Sequence, residues 1–405
     1  MSKKTKPVKE KKPGNPVLKG FGIPILYAAL TTAFSVVAAI TIMLQQFLHL
    51  IIGEIGFAML RDTDPALLFP DIFDQLLNHA AEYLCIGAVN VWHHANSIIL
   101  ISLALALVVI ILVLAKKGKE ISETLLSKHS PKKSVFSAIT LGLGVGGIVL
   151  FLQVALIVIG ITVAKGIIAP DSSLRQLLHD WSVDLRFQQS SNNFMWTQTL
   201  GYILENLAFG RMTNEPSLAQ FVLGMALRAL VLPCIFCLGA AGNFKKKMPL
   251  FVAALLTGML FVLFGGNTVG LFSTLLLGLF LGLIYAKTDS LISAVVFMLC
   301  SGIPTLGLYL LRAPFGIETT LTYNGYHGYE FTCFGFYYLA NNVSLFAQFA
   351  LVYLLLTLLA SIVLLLVGII LLISIGKGKK KAETEEQKEE PEAPDVLNSD
   401  PFADI

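Results

Sequence analysis

Apolar residues run in long, nearly uncharged stretches along most of this chain, and that pattern predicts membrane-spanning helices. A helix needs about 20 apolar residues to cross a hydrocarbon core of roughly 30 Å. Eight stretches are candidates, at 22–44, 97–115, 135–163, 219–240, 250–264, 271–285, 291–310 and 343–375. The fifth and sixth are short and qualify only by extending into residues 265–270. We therefore expect an all-α polytopic membrane protein with about eight transmembrane helices.

Composition supports the membrane class. The chain is 55% hydrophobic and 14% charged, whereas a soluble domain carries about 25% charged residues. The first apolar run is too long for a cleavable signal core and lacks a small-residue cleavage site, so it is interpreted as an uncleaved anchor. A net charge of +3, spread along the chain in separate segments, gives no basic face for nucleic acid, and none is expected as a partner.

Lysine and arginine placement predicts the orientation, because cytoplasmic loops carry the excess of these residues. With both termini inside, 22 of the 29 fall on the cytoplasmic side, six fall on the outer side, and Arg228 lies within a span. We therefore expect a multi-pass protein of the plasma membrane, with a bacterial membrane favoured, and both termini in the cytoplasm.

The spans divide the chain into segments. A basic cytoplasmic arm (1–20) precedes three transmembrane helices with one large outer loop (21–163, loop 45–96), and a second outer loop follows (164–218). Apolar residues at helical spacing in 71–84 and 172–185 predict interfacial helices in these loops. A four-helix core (219–310), an aromatic outer loop (311–342) and a last span (343–375) follow, and we expect the charged tail (376–405) to be disordered and cytoplasmic.

Arg228 is the most informative single residue, since a charge at the centre of a span is costly and rarely faces lipid. The eight spans contain no Asp or Glu. A partner for Arg228 must then come from backbone carbonyls, from the outer face, or from Glu205 in a semi-apolar stretch (194–209). Two roles remain open for Arg228: a structural one and one facing a ligand.

Three other motifs favour structural interpretations. Gly142, Gly144 and Gly147 spell a dinucleotide fingerprint, but they interrupt an apolar span without the strand that such a motif requires, so close helix packing is the better explanation. Cys234 and Cys237 lie inside a span, where thiols usually pack. The histidines lack zinc-site spacing, so neither a metal nor another cofactor is expected.

The central block resembles a known family. Leu277-Gly278, Gly282-Leu283, Tyr285 and Thr288-Asp289-Ser290-Leu291 are similar to the helix–loop–helix of the CPBP intramembrane endopeptidases, the CAAX-processing and bacteriocin-processing proteases. That family's helix is written L-G-x-x-x-G-x-L-Y and ends in T-G-S-L. The segment 227–233 and the basic loop 245–249 resemble its F-R-G-L-L-L-P and its short loop. The similarity covers about 90 residues.

The resemblance implies a catalytic pattern that this chain departs from. The family's glutamates in E-E-x-x-x-R fall on Leu223 and Gly224, with the arginine kept as Arg228. The histidine of F-x-x-x-H falls on Gly265, after Phe261. The third motif, H-x-x-x-N, falls on Met298 and Gly302. In active members, glutamate and histidine activate a water that attacks a peptide carbonyl. The residues here cannot serve as a general base.

Three hypotheses follow. The first is a catalytically silent, CPBP-like protein that binds a peptide, a lipid or a membrane-protein partner, with Arg228 and Glu205 as candidate ligand-binding residues and membrane lipids around it. Arg228 would meet an anionic group arriving from the outer side. The second is an active intramembrane peptidase whose catalytic groups are relocated to Glu205, His179, His327 or Glu330. The third is a membrane subunit of a transport or export complex, although no matching pair of broken helices is visible.

Overall fold

A computed structural model describes residues 15–59, 93–115, 131–167, 216–264, 271–312, 318–322, 335–339 and 343–389, with Leu125 and a few other single positions. Eight long helices occupy these ranges. In chain order they are α1 (Pro16–Met59), α2 (Ala95–Ala115), α3 (Pro131–Ile167), α4 (Leu218–Leu232), α5 (Leu250–Phe264), α6 (Leu271–Thr288), α7 (Leu291–Arg312) and α8 (Val343–Glu389). The predicted all-α polytopic membrane class is confirmed.

Within the described part of the chain, seven helices are long and apolar enough to cross a membrane, α4 being counted with its continuation to Phe244. The exception is α5, which has 15 residues and is therefore about 22 Å long at 1.5 Å per residue. The count of eight spans thus depends on α5. Residues 265–270, into which α5 was predicted to extend, lie outside the described residues.

Two helices are longer than the sequence predicts. The first begins at Pro16 and ends at Met59, beyond the predicted limits of 22–44 and into the proposed outer loop. The last continues to Glu389 and so extends into the segment that the sequence predicts to be a disordered tail. Lysine, glutamate and alanine are strong helix formers, which explains the continuation of α8 into the charged segment. The predicted interfacial helices at 71–84 and 172–185, and residues 1–14, lie outside the described residues.

A small antiparallel strand pair lies in the predicted aromatic loop. The strand β1 (Glu318–Thr322) pairs with β2 (Gly335–Leu339), with Thr320 opposite Tyr337. These strands were not predicted from the sequence, although threonine, tyrosine and phenylalanine are residues that favour strands.

The fourth helix changes its hydrogen-bonding pattern halfway along its length. It begins at the N-cap Ser217, whose side chain accepts a hydrogen bond from the Gln220 backbone while the Gln220 side chain accepts one from Ser217. From Pro233 to Ala241 the chain continues as a π-helix. Proline has no N–H to donate, so it interrupts the α-helical ladder, and such wide turns are frequent at functional sites.

Helix α3 lies at the centre of the bundle, in contact with α6, α7 and α8. Its glycines make two of these contacts close. A Cβ at Gly142 would lie 2.6 Å from the Phe297 carbonyl oxygen on α7, and one at Gly144 would lie 2.7 Å from the Leu365 nitrogen on α8. The interpretation of the glycine motif as a helix-packing surface is confirmed.

In the segment predicted as a four-helix core, α4 packs against α7, its π-helical continuation packs against α5 and α6, and α6 packs against both α5 and α7. The two glycines of the central motif lie between α5 and α6. A Cβ at Gly278 would lie 2.5 Å from the Phe261 Cβ, and one at Gly282 would lie 3.1 Å from the Ala254 Cα. These glycines therefore permit the close approach of two apolar helices.

One end of the bundle gathers lysines from α1, α3, α6 and the loop after α4, and we call it the lysine end (Lys19, Lys132, Lys133, Lys245–Lys247 and Lys287). Phe21 and Phe244 have ring centroids 5.4 Å apart, which joins α1 to the end of the π-helix. The hydroxyls of Ser134 and Ser293 are 2.6 Å apart, which joins α3 to α7. At the opposite end, the Tyr309 hydroxyl donates to the Pro216 carbonyl at 2.9 Å.

Candidate binding site

A recess opens among five helices in the half of the bundle away from the lysine end. Its polar lining side chains are Gln153 from α3, Arg228 from α4, Ser273 and Thr274 from α6, and Ser301 from α7. Met225, Phe261 and Met298 supply much of its apolar surface. The recess has a volume of about 30 Å³, above the roughly 10–15 Å³ that one water molecule needs. It therefore has room for a small polar group.

Arg228 reaches this recess from the inward face of α4. Phe221, Gly224 and Arg228 are all buried, and their spacing of three and four residues puts them on one side of a helix. The Arg228 side chain is 7% exposed, and Tyr27 on α1 is an electrostatic neighbour of its guanidinium. This position agrees with the expectation that a charge within a span does not face lipid.

Gln153 provides a second polar group from a different helix. Its side-chain nitrogen donates to the Ser273 hydroxyl at 3.2 Å, and the residue is 5% exposed. Its Oε1 oxygen is buried and accepts no hydrogen bond from the described residues. A buried acceptor of this kind is normally satisfied by a protein group, a water or a ligand.

The hydroxyls of the recess differ in how they are engaged. Ser301 donates to the Met298 carbonyl at 2.8 Å, one turn earlier in α7. Ser273 accepts the hydrogen bond from Gln153. The side chain of Thr274 is also buried at the recess wall. These three hydroxyls, together with Gln153 and Arg228, are the polar part of a lining that is otherwise apolar.

Some of the residues at the family's catalytic positions come together here and others do not. Met298 and Gly302 both line the recess. Gly224 lies on the buried face of α4, whereas Leu223 is 51% exposed on another face, and Leu223 is not among the residues that line the recess. Gly265 lies outside the described residues.

The side chain of Met225 covers Gly302. A Cβ at Gly302 would lie 2.7 Å from the Met225 Cγ and also contact its sulfur. Methionine is flexible and adapts to irregular spaces. The place where a side chain at position 302 would begin is therefore filled from α4, and no asparagine fits there without moving Met225.

Gln153 was not predicted from the sequence as a site residue. A signal was present, because a glutamine in the apolar span 135–163 is costly to bury and such polar residues often face a bundle interior. Glu205, the other predicted ligand-binding residue, lies outside the described residues, as do His179, His327 and Glu330. In the part of the chain that the structure describes, His, Cys, Asp and Glu side chains do not gather in groups of three or more.

The loop between α6 and α7 carries the other charged contact of the core. Asp289 has a φ of 52°, in the left-handed region, at the position where the resembling family has glycine. Aspartate tolerates this conformation better than most residues do. Its carboxylate pairs with Lys245 of the basic loop, and the Lys245 ammonium lies 5.9 Å from the centroid of the Tyr285 ring.

Part of the chain matches a known protein family. Residues 224–301 match the family model described as type II CAAX prenyl endopeptidase Rce1-like. No curated protein and no solved structure matches the chain. The matched segment begins at Gly224 and ends at Ser301, so it includes Arg228, Phe261 and Met298 and excludes α3, which carries Gln153.

Proposed function

Because residues 224–301 match the Rce1-like family model, we propose that this multi-pass membrane protein binds a peptide in the recess without cleaving it. The peptide is the preferred ligand because the matching family is described as an endopeptidase, and an endopeptidase acts on peptide bonds. A lipid or a partner protein is the alternative ligand.

The observation that carries this proposal is the lining of the recess. The recess contains groups that can bind a ligand, namely the Arg228 guanidinium, the Gln153 amide and three hydroxyls. It also contains Met298 and Gly302, at the positions where the resembling family has catalytic side chains. Peptide hydrolysis requires a general base within hydrogen-bond reach of a water. A thioether and a glycine hydrogen cannot accept the proton, whereas the guanidinium can still donate to a carbonyl or a carboxylate.

Binding and cleavage can be measured on the same sample. The full chain is reconstituted in nanodiscs, and an apolar peptide with a fluorescent N-terminal label is added. Anisotropy reports binding, and mass spectrometry reports cleavage. We expect binding with the peptide intact. Arg228→Met should weaken binding about tenfold to a hundredfold, because it removes charge-assisted hydrogen bonds. The matched control Lys246→Met removes a positive charge at the exposed lysine end and should leave binding unchanged.

Other outcomes would decide against the proposal. If wild type cleaves the peptide and Glu205→Gln does not, the active peptidase hypothesis would be correct instead. Equal binding by wild type and Arg228→Met, with normal membrane insertion of both, would remove the recess as the binding site.

We further propose that both termini lie on the cytoplasmic side of the plasma membrane. The support is the lysine end, where lysines from α1, α3, α6 and the loop between α4 and α5 lie at one end of the bundle. Cytoplasmic ends carry this excess, and each lysine near an anionic lipid surface contributes about 1 kcal/mol to the attraction. The membrane lipids of that leaflet are the expected partners of this end.

A further inference from the structure

We propose that Gln153 is a second ligand-binding residue, which selects an amide over groups that only accept hydrogen bonds. This inference rests on the proposed peptide-binding function. The proposal names a chemical class, the peptide amide or terminal carboxamide. It also extends the site beyond the matched segment to α3.

The Oε1 oxygen of Gln153 lacks a hydrogen-bond donor among the described residues. Its amide nitrogen is engaged by the Ser273 hydroxyl at 3.2 Å, which fixes the orientation of the side chain. The oxygen at the other end of the amide lies buried in the recess wall and receives no donor from the described residues. A ligand that satisfies this oxygen must carry an N–H or O–H group.

The Arg228 guanidinium has hydrogen-bond donors and no acceptor. It lines the same recess from α4. A ligand group that meets both residues must therefore accept at one atom and donate at a neighbouring atom. An amide does this with its carbonyl oxygen and its N–H. A carboxylate or an ester offers acceptors alone and leaves the Gln153 oxygen unsatisfied.

The recess has a volume of about 30 Å³, which exceeds the volume that a single water requires. One small planar group can therefore enter it. Ser301, which lines the same space, donates to the Met298 carbonyl and keeps an acceptor lone pair for a further N–H. Two acceptors, on α3 and on α7, are thus available to the amide nitrogen.

The experiment compares three versions of one peptide on the full-length protein in nanodiscs. The labelled apolar peptide ends in a carboxamide, a free carboxylate or a methyl ester. We expect wild type to bind the carboxamide about tenfold more tightly than the ester, a difference of about 1.4 kcal/mol. In Gln153→Met, which keeps the volume and removes the hydrogen-bonding groups, this preference should fall to within about twofold.

The outcomes separate this inference from the proposed function. Equal binding of carboxamide and ester by wild type, with both lost in Arg228→Met, would overturn the role of Gln153 and leave the binding function standing. Tighter binding of the carboxylate than of the carboxamide would mean that charge pairing with Arg228 decides the selection, and would also overturn the inference. Failure of all three peptides to bind would count against the proposed function. The wild-type comparison needs no variant, so misfolding of Gln153→Met cannot hide the result.

Discussion

The close contact between α3 and α7 makes a quantitative prediction about Gly142. A methyl group added here would lie 2.6 Å from the Phe297 carbonyl oxygen and 2.7 Å from the Cys300 Cβ. Ordinary contacts begin near 3.4 Å, so the two helices must separate by about 0.8 Å. The obstructing oxygen belongs to the backbone and cannot rotate away. We expect Gly142→Ala to lower the free energy of unfolding by about 1–3 kcal/mol, the usual cost of overpacking.

The control variant is Gly22→Ala in α1, where an added Cβ meets nothing within 4 Å. Alanine favours a helix over glycine by up to about 1 kcal/mol, so this variant should be as stable as wild type or slightly more stable. The two variants make the same chemical change in apolar helices and differ in what the new methyl meets. The difference between them therefore measures the packing of α3 against α7.

The measurement is the loss of helical circular dichroism during titration of the purified protein from a mild detergent into a denaturing one. Gly146 also faces α7, where an added Cβ would contact the Ser301 carbonyl. One separation of the helices relieves both clashes, so Gly142→Ala with Gly146→Ala should cost less than the sum of the single variants. The packing argument fails if Gly142→Ala is as stable as Gly22→Ala, or if the pair is strictly additive.

Three further predictions concern other parts of the core. Gly302→Asn should lower the free energy of unfolding by about 1–3 kcal/mol, because Met225 occupies the space that the new side chain needs. Adding Met225→Ala to the same chain should restore at least half of the loss. Thermal unfolding that shows no such rescue would contradict this packing. Asp289→Gly should change the free energy of unfolding by less than about 0.5 kcal/mol, because losing the partly exposed ion pair to Lys245 costs about 0.2–1 kcal/mol while glycine relieves the left-handed conformation. Asp289→Ala loses the ion pair without that relief and should be the less stable of the two in thermal unfolding. The reverse order would argue against strain at this position. In a cysteine-free chain, a cysteine at Lys246 should react with a membrane-impermeant maleimide after cell permeabilisation, and one at Ser217 before it; the opposite pattern would reverse the proposed orientation.

The membrane class and the positions of the helices could be predicted from the sequence because they depend on local composition. Every predicted span corresponds to a helix, although α1 and α8 are longer than the apolar runs. Burial in lipid requires each segment to satisfy its own backbone hydrogen bonds, so an apolar run of sufficient length becomes a helix wherever its neighbours lie. The resemblance of the segment around Gly278 and Gly282 to the CAAX proteases was likewise readable from spacing, and the family match at 224–301 confirms it.

The composition of the recess could not be predicted in this way. Gln153 and Ser273 are 120 positions apart, and each looks like an isolated polar residue in an apolar run. The sequence also gave no sign that Leu223 would be half exposed or that Met225 would cover Gly302.

The sequence by itself determined that the chain crosses the membrane, where its helices lie, and that a single arginine is placed among apolar residues. The tertiary structure decided which polar groups share a space with that arginine. The physical reason is that helix formation in lipid is a property of each segment, whereas the rotation of α3, α4, α6 and α7 about their axes is set by side-chain packing between distant segments. That rotation brings the Gln153 oxygen and the Arg228 guanidinium to the same recess.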